Sequence, residues 1–94
     1  MLEDIKVVLR ISKANTVYNG EINDLIAAAQ HDLILSGVDP EKANSDTDPL
    51  VKRAVFTYVK AHFGYDNPDA ERFQQAYDMI KMHLSIAGDY RAVE

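Results

Sequence analysis

Three histidines, His31, His62 and His83, are the residues best suited to metal or proton chemistry. They fall on three different amphipathic segments, and three imidazoles drawn from three helices can close a zinc site. None belongs to a His-Glu-x-x-His pair or another dense ligand motif, so the expectation is no metal and no cofactor. The chain has no cysteine, which removes disulfides, thiolate nucleophiles and thiolate ligation of zinc or iron–sulfur clusters. Nucleophilic catalysis needs a hydroxyl beside a base and an oxyanion hole. Ser12, Ser36, Ser45 and Ser85 sit in no such elbow, and no glycine-rich phosphate loop is present. Glu21 and Asp24 stand at a helix start, where the dipole already accounts for them. The expectation is a protein that is not an enzyme.

Two surface patterns point to contact rather than catalysis. Lys52, Phe56 and Lys60 form an i,i+4 row away from the apolar face of their segment, with Arg53 beside it. Residues 48–66 carry a net +1, whereas residues 1–37 carry −2 and the whole chain −5. A solvated helix face explains such a row; so does a contact surface for an acidic neighbour with Phe56 as its apolar anchor. Met79, Met82 and Ile86 point away from Phe73, Ile80 and Leu84 on the last segment. A helix apolar on two sides packs on two things: the second is another chain, or else the first helix or the 38–47 loop. The seven residues Lys52, Arg53, Phe56, Lys60, Met79, Met82 and Ile86 are the candidate subunit interface. A basic face meeting an acidic one is a heterologous contact, and such contacts close into rings when the rotation permits.

The elements that position these residues are punctuated by four glycines and three prolines. Met1 to Ile11 places Leu2, Ile5, Val8 and Leu9 at helical spacing, with Glu3 and Asp4 in the first turn, and a short helix is expected, the β-branched Val7-Val8-Leu9-Arg10-Ile11 leaving a strand as the alternative. Gly20 to Ser36 is a helix with Asn19 as N-cap; Tyr18, Ile22, Leu25, Ile26, Ala29 and Leu33 form its buried stripe, and Gly37 ends it in the left-handed conformation. Val38 to Thr47 is polar, acidic and turn-forming, and is expected to be a loop. Asp48 caps and Pro49 opens the third helix. That helix runs to Phe63 with two apolar rows, Leu50/Ala54/Tyr58 and Val51/Val55/Val59/Phe63. Asn67 and Pro68 repeat the start signal for a fourth helix, with Ala70, Phe73, Ala76, Tyr77, Ile80, Leu84 and Ala87 as its core stripe and Gly88 as its end. The expected fold is all-α: one domain over residues 1–94, a small bundle of four helices around a buried third helix, with a polar tail from residue 88.

At 94 residues the chain makes one small domain, and a core of this size gains from self-association. Hydrophobic residues are 47% of the chain, too many for a disordered segment at this charge. No apolar run approaches the roughly 20 residues of a membrane span, and the start lacks a secretory signal; the expected setting is intracellular, with no membrane partner. A charge of −5 argues against non-specific binding to nucleic-acid phosphates.

The order of elements is also familiar. Leu2-x-x-Ile5-Lys6-x-x-Leu9-Arg10-Ile11 comes first, then an acidic opening and Leu25-Ile26-Ala27-Ala28-Ala29. Asp48-Pro49-Leu50-Val51-Lys52-Arg53-Ala54-Val55 follows, running through Tyr58-Val59-Lys60-Ala61-His62-Phe63-Gly64-Tyr65-Asp66-Asn67. Glu71-Arg72-Phe73 through Met82-His83-Leu84-Ser85 and Tyr90-Arg91 complete it. This order resembles the head–tail connector proteins of tailed bacteriophages and prophages, also labelled DNA-packaging proteins. The resemblance implies a helical virion protein that assembles as a homo-oligomeric ring below the portal protein. It implies a platform for a tail or stopper protein, and DNA passing through the lumen without sequence-specific binding. It implies the virion head–tail junction as location, and the bacterial cytoplasm during assembly. The 38–47 stretch is longer than the acidic turn associated with that family, and the tail from Gly88 to Glu94 becomes a candidate portal-docking segment. An acidic wall repels phosphate, so Glu21, Asp24 and Asp32 are candidate lumen acids. The alternative is a small helical protein-binding adaptor or regulator using the Met79/Met82/Ile86 face. A DNA-binding regulator using Lys52, Arg53 and Lys60 is a third reading, weakened by a ten-residue connection where a helix-turn-helix has three or four.

Overall fold

A computed structural model describes residues 1–64 and 67–92 of the chain. Tyr65 and Asp66 of the family-like third element, and Val93 and Glu94 of the expected tail, lie outside the described residues. The fold is all-α, with helices α1 (Leu2–Val8), α2 (Asn19–Leu35), α3 (Pro40–Ala43), α4 (Pro49–His62) and α5 (Ala70–Ile86). Among the described residues there is no strand, only an isolated antiparallel bridge between Val38 and Arg91.

The expected count of four helices is corrected to five among the described residues, because the 38–47 stretch contains α3. Asp39-Pro40 repeats the chemistry of Asp48-Pro49: the Asp39 carboxylate accepts from the Glu41 N–H at 3.4 Å, and Pro40 opens the turn. Val38, just before α3, and Ala43, its last residue, are fully buried. These two apolar side chains fold the stretch onto the core, which its polar composition did not announce.

Helix ends follow from local chemistry. Asp48 accepts from the N–H groups of Leu50 and Val51 at 3.0 and 3.1 Å, as a capping aspartate should. Gly37 closes α2 at φ 104°. Its N–H reaches the Ile34 carbonyl, and the Val38 N–H reaches the Leu33 carbonyl, at 3.0 Å each. α1 closes the same way with Arg10 in the glycine position, at φ 61°: Arg10 N–H bonds the Val7 carbonyl and Ile11 N–H the Lys6 carbonyl. Two expected caps are displaced. Asn19 is the first helical residue rather than the cap, and its buried Oδ1 has no partner among the described residues. Asn67 instead accepts from the Asp69 N–H at 3.1 Å, so α5 begins two residues after Pro68.

The core draws on every helix: Ile5 from α1; Ile22, Ile26, Ala29 and Leu33 from α2; Ala43 from α3; Val51, Ala54, Val55 and Val59 from α4; Tyr77 and Leu84 from α5. α4 packs against both α2 and α5. Its Val51/Val55/Val59 row is fully buried, whereas Leu50 of the adjacent row is half-exposed. On α5 the expected stripe narrows to Tyr77 and Leu84, with Phe73 and Ile80 partly covered and Ala76 exposed. Tyr18 is likewise exposed, its ring edge against Phe63 at 5.5 Å.

Candidate functional site

The basic row on α4 is partly used within the chain. Lys52 pairs with Asp4 of α1 at 3.2 Å, and its ammonium lies 5.7 Å from the Phe56 ring centroid. Phe56 is half-buried against the core. Lys60 sits 5.4 Å over the Phe73 ring of α5. Arg53 is the exposed member of the group.

The α5 row is open. Met79, Met82 and Ile86 are 62%, 55% and 69% exposed, so neither α1 nor the 38–47 stretch covers them. Leu35, at the end of α2, is also exposed. The structure therefore separates the seven candidate interface residues into an exposed apolar row, the Lys52/Phe56/Lys60 row whose two lysines brace α1 and α5, and the exposed Arg53.

The three candidate lumen acids have three different environments. Asp24 is exposed. Glu21 accepts from the Gly64 N–H at 3.3 Å. Asp32 ties α2 to α5, accepting from the Tyr77 hydroxyl at 2.6 Å and from the Lys81 ammonium at 3.1 Å. Burial alone pushes the Asp32 carboxyl up. The bonds from Tyr77 and Lys81 and the positive charge nearby outweigh it and hold the group below the usual carboxylate range. The Tyr77 phenol is pushed far above its ordinary value by burial and by Asp32.

An open cleft of about 560 Å³ adjoins this pair, lined by His31 and Leu35 of α2, Tyr58 and His62 of α4, and Gln74 and Lys81 of α5. Gln74 donates its amide N–H to Asp78 at 2.9 Å, which turns its carbonyl oxygen to His62 Nε2 at 2.7 Å. Two of the three histidines meet here and His83 does not. No group of three histidine, aspartate or glutamate ligands gathers among the described residues.

Three features were not foreseen from the residue pattern. Lys6 is buried, 1% exposed, and donates to the Lys13 and Asn15 carbonyls at 3.2 and 2.6 Å, holding the 12–15 loop. The Asp32–Tyr77–Lys81 cluster is the second. The third is the end of the chain, which folds back. Asp39 N–H donates to the Tyr90 carbonyl at 2.7 Å and Ala92 N–H to the Gly37 carbonyl at 2.9 Å. The Tyr90 hydroxyl donates to Asp48 at 3.2 Å. Burial and the Asp48 bond push the Tyr90 phenol up. Spacing carried no signal for these contacts, since each joins residues far apart in the chain or uses backbone groups.

No described helix is long and apolar enough to cross a membrane. No curated protein and no solved structure matches the chain. The family model described as phage connector protein matches residues 1–91, a span that takes in α1 to α5 and runs as far as Arg91. Matched over nearly its whole length, this all-helical chain belongs to the phage connector protein family.

Proposed function

We propose that this chain is a structural subunit of the phage head–tail junction that works by protein contact and not by chemistry. Copies associate head to tail into a ring that docks on the portal protein, seats a tail or stopper protein, and lets DNA pass. Assembly takes place in the host cytoplasm. Membership of the phage connector family supports the junction as the place of work.

The observation that carries self-association is the uncovered row Met79, Met82 and Ile86 on a chain with a small core. Within the proposed interface this row and Arg53 supply the contact, while Lys52, Phe56 and Lys60 hold the shape of the face they border. Glu21, Asp24 and Asp32 remain the proposed lumen acids; Glu21 and Asp24 are exposed and Asp32 is partly buried. The net charge of −5 keeps such a wall from gripping DNA.

Mass in solution together with electron microscopy tests the reading. Rings with a hole wide enough for duplex DNA are expected. A compact dimer supports the adaptor reading instead, and a chain that stays monomeric at every concentration overturns spontaneous ring formation.

A further inference from the structure

We propose that the C-terminal segment of one copy, Tyr90 to Ala92, seats on the Gly37–Asp39 edge of a second copy. Each chain then gives one strap and receives one. The inference rests on the self-association proposed above and names the contact that joins the copies.

The seat is present within the chain. Two backbone bonds, Asp39 N–H to the Tyr90 carbonyl and Ala92 N–H to the Gly37 carbonyl, flank the antiparallel pair Val38 and Arg91. The Tyr90 ring lies 5.7 Å from the Lys42 ammonium. Its hydroxyl joins the N–H groups of Leu50 and Val51 on the same Asp48 oxygen. Every one of these partners lies between residues 37 and 48, and none lies on the helix that carries the strap. An identical segment from another copy therefore recovers each contact, which is the condition for exchanging an element between protomers.

The strap's own burial is confined to one side chain, Tyr90, which packs against the core beside the buried Val38. Asp89, Arg91 and Ala92 are exposed, and Tyr90 is only half-buried. What ties the strap to its own α5 is a turn: the N–H groups of Tyr90 and Arg91 both reach the Ala87 carbonyl at 3.0 Å. Gly88 sits in that turn, exposed, with nothing within 4 Å of where a Cβ would stand. Opening this hinge redirects the strap outward, and its freed turn bonds pass to water. The edge and the strap are different surfaces, so the contact is heterologous and propagates until it closes.

The cysteine-free chain allows a direct test. Val38 and Arg91 form the pair between the two ladder bonds, where Cα atoms stand about 4.5 Å apart, within disulfide reach. The Val38→Cys and Arg91→Cys chains, isotopically distinguished, are mixed at a concentration where the native chain self-associates, then oxidised. A disulfide heterodimer that outnumbers both homodimers is expected; homodimers or monomers alone overturn the exchange. With both substitutions in one chain, oxidation at high dilution locks the strap at home. Loss of assembly that reduction restores is expected, whereas assembly indifferent to the lock overturns the exchange and leaves self-association standing. Because Val38 is a core residue, a chain ending at Ala87 provides a second test. It accepts a strap but gives none, so added to the full chain it shortens the oligomers; unchanged oligomers overturn the exchange. A native chain that is monomeric throughout overturns both the exchange and the ring.

Discussion

At the residue scale, Asp32 and Tyr77 make stability depend on pH in opposite senses. Asp32 is held below the usual carboxylate range in the folded chain, so its contribution is present above the unfolded value near 4 and is lost as pH falls through the lower folded one. Tyr77 titrates in the opposite sense. Its folded value is raised, so its contribution is complete below about pH 10 and is lost as pH climbs above it. Urea midpoints across pH should decline at both ends, and Tyr77→Phe should flatten the alkaline limb. That substitution is expected to cost about 1–2 kcal/mol at neutral pH, the value of a hydrogen bond to a charged group less solvent sharing. Lys6→Ala should cost about 2 kcal/mol, since it strips two loop carbonyls of their shared donor and leaves a gap beside Ile5. Denaturant titration checks both values. An unchanged midpoint for Lys6→Ala would show that the 12–15 loop is not held by this ammonium.

Helix ends decide the element scale. Asp48 is cap and strap anchor in one side chain: it closes the start of α4 and receives the Tyr90 hydroxyl. Asp48→Ala is expected to lose about 1–2 kcal/mol, seen as a lower melting midpoint by circular dichroism. Asp39→Ala on one-turn α3, with its single bond at 3.4 Å, should lose clearly less. The end of α1 predicts the reverse sign. Arg10 occupies a left-handed position that an L side chain enters at a cost of roughly 1–2 kcal/mol, while glycine enters freely and loses about half of that gain to unfolded-state entropy. Arg10→Gly is therefore expected to stabilise the chain by about 0.5–1 kcal/mol. A destabilised Arg10→Gly would show that the arginine side chain makes a contact worth more than the strain.

The whole molecule is read through its surface. The three large apolar side chains of Met79, Met82 and Ile86 lie open on α5, and a contiguous patch of this kind is where the proposed contact is tested. Met82→Asp should abolish association, read as a fall in mass by sedimentation, while far-ultraviolet dichroism stays unchanged; unfolding instead would mean that this row supports the core. The acidity belongs to the same scale. With net −5 and a basic row already engaged with Asp4 and Phe73, the chain should not retard duplex DNA at physiological salt. A salt-sensitive shift at moderate protein concentration would return the basic row to nucleic-acid binding.

Periodicity and capping chemistry made most of the helical frame legible. The 3.6-residue spacing located α1, α2, α4 and α5, Asp48-Pro49 announced the start of α4, and Gly37 the end of α2, because these depend on neighbours within one turn. The order of these elements along the chain carried the family. α3 was missed for a physical reason: one turn is too short to show a period, and its burial depends on Val38 and Ala43 meeting a core formed elsewhere. The candidate interface was legible as two apolar and basic rows, but not which of them stays open. That was decided when α1 brought Asp4 to Lys52 and α5 brought Phe73 under Lys60. The buried Lys6, the Asp32–Tyr77–Lys81 cluster and the returning strap at Gly37–Asp39 were likewise tertiary decisions. Each joins groups separated in sequence or built from backbone, and such pairs acquire their energy only when folding removes water and sets their distance.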